Sequence, residues 1–164
     1  VGINEIIEKS ETAKATFYNH FPSKEALCAA WLGDTHDRSE IFHDKLAKED
    51  KDPLQKVRDY FLSLKDWMRN NTYQGCPYSN TAANESGNTP LIQEKITEHK
   101  VFQKDFFLGL AHSFAQGVEA RKLGHALFLL YSGATTEARN LKASWPIEEA
   151  AETATALCKA AANS

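Results

Sequence analysis

"KATFYNHFPSKEALCAAWL", residues 14–32, sets polar tips beside two large apolar rings. Phe17 and Phe21 are four apart, so on a helix they lie on one face and bury together. Ala15, Thr16 and Asn19 are then pushed to the opposite face, with Lys14 and Tyr18 flanking it on one side and His20 on the other. Threonine, tyrosine, asparagine, histidine and lysine all reach phosphate oxygens, and lysine and asparagine also read base edges. Pro22 and Ser23 interrupt the pattern, and an apolar-periodic helix begins at Lys24.

Upstream, "VGINEIIEKSETA" (1–13) reads as a second helix and a short turn. Gly2 is an acceptable N-cap. Val1 and Ile6 stand at hydrophobic-staple positions, with Glu5 in the capping-box place. Ile3, Ile6 and Ile7 form the buried face. The break falls at Ser10-Glu11-Thr12, and Thr12 or Ala13 caps the next helix. Two short helices joined by a three- to four-residue turn make a helix-turn-helix corner. In that motif the second helix enters the DNA major groove by its N-terminal residues.

"TFYNHFPSKEAL" resembles the signature of the TetR family of bacterial transcriptional repressors, T-x-Y-x-[HY]-F-x-[SN]-K-x-x-L. Thr16, Tyr18, His20, Phe21, Ser23, Lys24 and Leu27 match it. The resemblance implies that Thr16, Tyr18 and Lys24 hold the DNA backbone, while Lys14, Ala15 and Asn19 face the groove and set sequence preference, with His20 beside them. Lys24 falls in the first turn of its helix, where free N–H groups also attract phosphate. The implied fold is all-α: a helix-turn-helix head with its connecting helix over 1–48, and a helical ligand-binding and dimerisation domain over 49–164. Two departures stand out. Glu11 occupies the turn position where the family usually has glycine, a place for backbone strain. The family also has one more helix before the position of Val1, so the chain is expected to be part of a longer protein, with basic residues in that segment.

The totals are those of a globular protein: 164 residues, 42% apolar, 25% charged, net charge −3. An acidic total does not announce a nucleic-acid binder, so DNA contact has to come from a local patch. No apolar run reaches the eighteen residues of a membrane span, and no basic-then-apolar start resembles a secretion signal. Cys28, Cys76 and Cys158 are odd in number and widely spaced, which favours a reducing cytoplasm over disulfides or zinc; the family resemblance implies that this cytoplasm is bacterial and that the protein sits at the nucleoid. His36 and His43, with Asp37 and Asp44, are two turns apart, about 10 Å of rise. That is too far to share one ion, and a charged solvated face is the preferred reading. No metal or cofactor is expected. Glycine-rich phosphate loops, HExxH, GxSxG and CxxC are all lacking. An enzyme assembled from Glu85, His99 and Cys76, or a helical dimer that does not bind DNA, are the weaker alternatives.

Periodicity and punctuation predict helices near 2–9, 13–20, 24–48, 53–72, 79–85, 90–116, 119–142 and 146–162, with Gly75 and Gly117 as stops. Leu54, Val57, Phe61, Leu64 and Met68 recur at three and four, as do Ile92, Ile96, Phe102, Phe106, Leu110 and Phe114 with slips. The middle helices should enclose a cavity for a small apolar or aromatic effector. Its candidate residues are Trp31, Phe61, Trp67, Cys76, Tyr78, Asn80, Asn84, Glu85, His99, Phe102 and Phe106. "GCPYSNTAANE" (75–85) resembles a loop of one TetR subgroup, GC-x-x-x-N-x-A-x-E. There Cys76 precedes a short helix whose dipole would lower its pKa; a buried packing role is preferred. The last two helices carry Ala126, Leu127, Leu130, Gly133, Ala134 and Ala138, then Ile147, Ala150, Ala151, Ala154, Leu157, Cys158 and Ala161; the small residues of this apolar stripe allow close approach and suit a two-fold four-helix interface. The resulting expectation is a homodimeric repressor on a palindromic DNA operator, released by a small molecule that tilts the helix beginning at Lys24.

Overall fold

The computed structural model describes residues 2–84 and 89–163, and no strand occurs among them. Two short helices, α1 (Ile3–Lys9) and α2 (Lys14–His20), form the corner, and the long α3 (Lys24–Lys48) leaves it. Behind them come α4 (Pro53–Asn70), α5 (Pro77–Ala82), α6 (Pro90–Ala111), α7 (Gly117–Leu141) and α8 (Trp145–Ala162). Proline in the first turn opens α4, α5, α6 and α8, where its missing N–H costs no intrahelical bond. Ser23 caps α3 by accepting from the Ala26 N–H at 3.1 Å. Asp52 caps α4 by accepting from Leu54 and Gln55.

Helix α6 packs on α7, α7 on α8, α8 on α4, and α3 on α6. Between them lies a large core that includes Phe61, Met68, Phe107, Leu127, Ile147 and Cys158. A smaller cluster of Ala29, Leu32, Cys76, Tyr78, Ile92 and Ile96 fastens α3 and α5 to the start of α6. Gly124 lets α7 approach α6 closely: a Cβ there would stand 2.8 Å from the Leu108 Cα.

Two expectations change. The sixth helix stops at Ala111 rather than near 116, and Gly117 (φ 58°) starts α7 instead of ending α6. The stripe of small residues assigned to a dimer face is mostly internal. Leu127, Ala134, Ala138, Ile147, Ala150, Ala154 and Cys158 are buried within the one chain, because α4 and α6 already cover that side of α7 and α8. The outward apolar residues of this pair are Val118, Leu129, Leu141 and Trp145, together with Leu157 from the expected stripe.

Candidate functional site

The corner is held by few contacts. Ile7 and Phe17 are its buried residues, and the Phe17 and Phe21 rings meet tilted, 5.7 Å between centroids. The turn is tied by the Ser10 hydroxyl donating to Ile7 O and the Thr12 hydroxyl donating to Ser10 O. Glu11 adopts φ 52°, the left-handed region expected from its glycine-like position. With Phe17 pinned inward, Lys14, Ala15, Thr16, Tyr18, Asn19 and His20 are all exposed, and so is Lys24 at the first position of α3. These seven side chains make an exposed, mostly polar surface along α2 and the start of α3.

Further along α3, a cavity of about 520 Å³ opens between the two cores, a size suited to a drug-sized ligand. Its walls come from α3 (Trp31, Ser39, His43), α4 (Tyr60, Trp67), the start of α5 (Cys76, Tyr78), α6 (His99, Gln103) and α7 (Tyr131). Trp31 and Trp67 are half exposed and stand at the mouth; a shallower groove shares both of them. Of the residues expected from the sequence, Trp31, Trp67, Cys76, Tyr78 and His99 line the cavity. Phe61 does not: it is fully buried in the large core. Asn80 and Asn84 line the outer groove, with Asn80 Oδ1 accepting from Arg139 at 2.6 Å. Phe102 and Phe106 pack edge-on against His43 rather than reaching the cavity. Glu85 lies outside the described residues.

Residues 36 and 43 overturn the solvated-face reading. His43 is buried and the His36 side chain is only 13% exposed, because this side of α3 packs on α6. His36 and His99 meet Nδ1 to Nδ1 at 3.2 Å, and His99 lies flat on the Tyr78 ring at 3.6 Å. Burial, then His36, Lys100 and His43, hold the His99 pKa down to about 3, while burial chiefly lowers that of His43. Both are neutral near pH 7. The Tyr78 hydroxyl donates to Leu32 O at 2.8 Å, tying α5 to α3.

Cys76 is enclosed in the cavity wall. Burial pushes its thiol up, but Lys100, the Ser79 backbone and hydroxyl, and Tyr131 together bring it below the ordinary thiol value. Lys100 Nζ stands 3.5 Å from Sγ and 2.8 Å from Ser79 Oγ. The cause is thus a side-chain cation more than a helix dipole.

The sequence reading missed His43, Tyr60, Gln103 and Tyr131. A signal existed. The buried stripe of α6 is Ile92, Ile96, His99, Gln103, Phe107 and Leu110, spaced at three and four. Placing Phe102 and Phe106 on it instead is what forced slips into the pattern.

Two short helices, a long connecting helix and a bundle enclosing a cavity define an all-α architecture with a helix-turn-helix corner. Comparison with known proteins agrees. Residues 1–31 match the model for bacterial regulatory proteins of the tetR family. A curated relative, an uncharacterized HTH-type transcriptional regulator in the lacX 3′ region of Lactococcus lactis subsp. lactis, is 29% identical over 59% of this chain. The chain spans 56% of that relative's length. Among solved structures, a TetR-family transcriptional regulator from Streptomyces coelicolor superposes with a TM-score of 0.80 at 21% identity, covering 99% of this chain and 84% of that one. A TetR transcriptional regulator from Legionella pneumophila gives 0.84 at 17% identity, covering 94% and 84%. The reduced form of E. coli NemR gives 0.74 at 19%, covering 95% and 85%. The family match rests on residues 1–31, and the solved structures share the fold of nearly the whole chain. No described helix is long and apolar enough to cross a membrane.

Proposed function

We propose that the chain is a ligand-responsive transcriptional repressor that binds a palindromic operator in the bacterial cytoplasm as a homodimer and leaves it when a small apolar or aromatic molecule fills the cavity. The observation that carries this reading is α3 itself. Its first residue, Lys24, belongs to the exposed polar face, and its middle residues Trp31, Ser39 and His43 form a wall of the cavity. A ligand that displaces that wall displaces the head. Heads of a dimer must stand about 34–36 Å apart to meet successive major grooves, so a small tilt of α3 abolishes the fit. A coupling of about 1–3 kcal/mol is enough for regulation.

The roles proposed for the exposed residues are those that the family resemblance implies. Thr16, Tyr18 and Lys24 hold phosphates; Lys14, Ala15 and Asn19, with His20 beside them, meet base edges. The head, 1–48, and the body, 49–164, share α3 as their lever. The partner copy sits on α7 and α8 through their outward residues, Leu129 and Leu157 among them. The test is a gel shift on the protein's own promoter region. Lys24→Ala should weaken binding to every sequence and lower the salt slope by about 1. Asn19→Ala should change the preferred sequence. Absence of any salt-sensitive preference for a palindrome there would overturn the repressor reading.

A further inference from the structure

The deep wall of the cavity carries a hydrogen-bond chain whose direction can be deduced atom by atom. His43 Nδ1 stands 2.5 Å from the backbone carbonyl of Ser39. A carbonyl only accepts, so Nδ1 bears the ring proton. Burial keeps the imidazole neutral, and its Nε2 is therefore a bare acceptor. The atom facing Nε2 at 3.1 Å must be a donor, which fixes the Gln103 amide with Nε2 toward it. That same amide nitrogen lies 2.6 Å from Tyr60 Oη. Tyr60 thus accepts from Gln103, and its own O–H proton is not used in the chain.

Tyr60 is 4% exposed, and its ring lines the cavity. Among the described residues, no acceptor meets its proton. The neighbouring polar groups are already engaged: the Tyr131 hydroxyl with Cys76, and Lys100 with Cys76 and Ser79. A buried donor without a partner costs free energy that a fitting acceptor recovers. Trp67, Phe42 and Tyr78 also line the cavity. No carboxylate stands among the described lining residues to balance a cation, and the cation of the lining, Arg38, is already paired with Asp34 at 2.8 Å.

We propose that the cavity takes an uncharged aromatic ligand bearing a carbonyl oxygen, which accepts the Tyr60 O–H at its inner end. The inference rests on the cavity being the effector site. It adds a route by which the ligand is felt: the chain Tyr60–Gln103–His43 ends on the Ser39 carbonyl of α3, the helix that carries the head.

The test compares two probes of one shape, benzophenone and diphenylmethane, which differ by a carbonyl in place of a methylene. Isothermal titration of the whole protein should show benzophenone binding about three- to tenfold more tightly, the worth of one hydrogen bond. Tyr60→Phe should erase that preference and leave diphenylmethane affinity as it was, which also certifies that the variant folds. Independently of any variant, the carbonyl stretching band of bound benzophenone should move to lower frequency than in an apolar solvent. Equal binding of both probes, or an unshifted band, overturns the Tyr60 donor while leaving the cavity reading intact. Binding of neither overturns the cavity reading and this inference with it.

Discussion

The two cores of this bundle are built differently. The large one, between α4, α6, α7 and α8, is made of apolar side chains such as Phe61, Met68, Phe107 and Ile147. The small one, around Leu32 and Tyr78, is fastened by particular polar bonds: the Tyr78 hydroxyl on Leu32 O, and the His99 ring on Tyr78 with His36 at its edge. Area holds the first and geometry holds the second. A core held by area yields only when the chain unfolds, whereas a few bonds can be exchanged for others. The cavity lies on the boundary, taking Tyr60 and Tyr131 from the large core and Cys76 and Tyr78 from the small one. Function is then free to act on α3 without loosening the body.

The largest test of this division is Phe107→Ala. The ring is fully buried against Tyr60, Phe61 and Tyr131. Its loss leaves a cavity that packed helices cannot close and should cost about 3–5 kcal/mol. Urea unfolding followed by circular dichroism measures this. A loss under about 1 kcal/mol would mean that the large core is not the main store of stability.

The small core should reveal itself by pH. His99 is neutral in the fold, with a pKa near 3 against 6.5 for an ordinary histidine. Between those values the unfolded chain takes up a proton that the folded chain refuses, so stability falls as pH falls. From pH 7 to pH 5 the loss from His99 is about 2 kcal/mol, at 1.36 kcal/mol per pH unit below 6.5. His43, shifted the same way, adds to it. His99→Phe keeps a ring on Tyr78 and removes the titration, so most of this slope should vanish between pH 7 and 5. An unchanged slope would detach the acid sensitivity from the small core.

Legibility in the sequence divides along the same line. Each helix was visible, because proline starts, capping residues and three-four spacing are local signals; Pro53, Pro90 and Asp52 act as they should. The head's polar face was readable because Phe17 and Phe21 orient everything else on α2. The cavity was half readable. Aromatics announced it, but Phe61 went into the core and Phe102 and Phe106 turned to His43. A polar residue on an apolar stripe gains its meaning only from partners on other helices, as Gln103 does from His43 and Tyr60. The same tertiary packing turned His36 and His43 inward and consumed the small residues of α7 and α8 that looked free for a partner.

The finest probe of the contrast is a pair of cysteines, one in each core. Cys158 lies in the large core, where burial alone pushes its pKa up to about 11. Cys76 is nearly as enclosed, yet its pKa falls below the ordinary value because Lys100, Ser79 and Tyr131 outweigh burial. The thiolate is the reactive form, so iodoacetamide at pH 8, followed by peptide mapping, should alkylate Cys76 well before Cys158. Lys100→Met keeps the length of the side chain and removes its charge. Burial then dominates at Cys76, and its alkylation should slow by roughly tenfold, the effect of one pKa unit. Cys158 and the partly exposed Cys28 report on accessibility and global unfolding, and their rates should not move. Equal slowing at all three cysteines would trace the effect to the fold as a whole and would deny the small core a charge of its own.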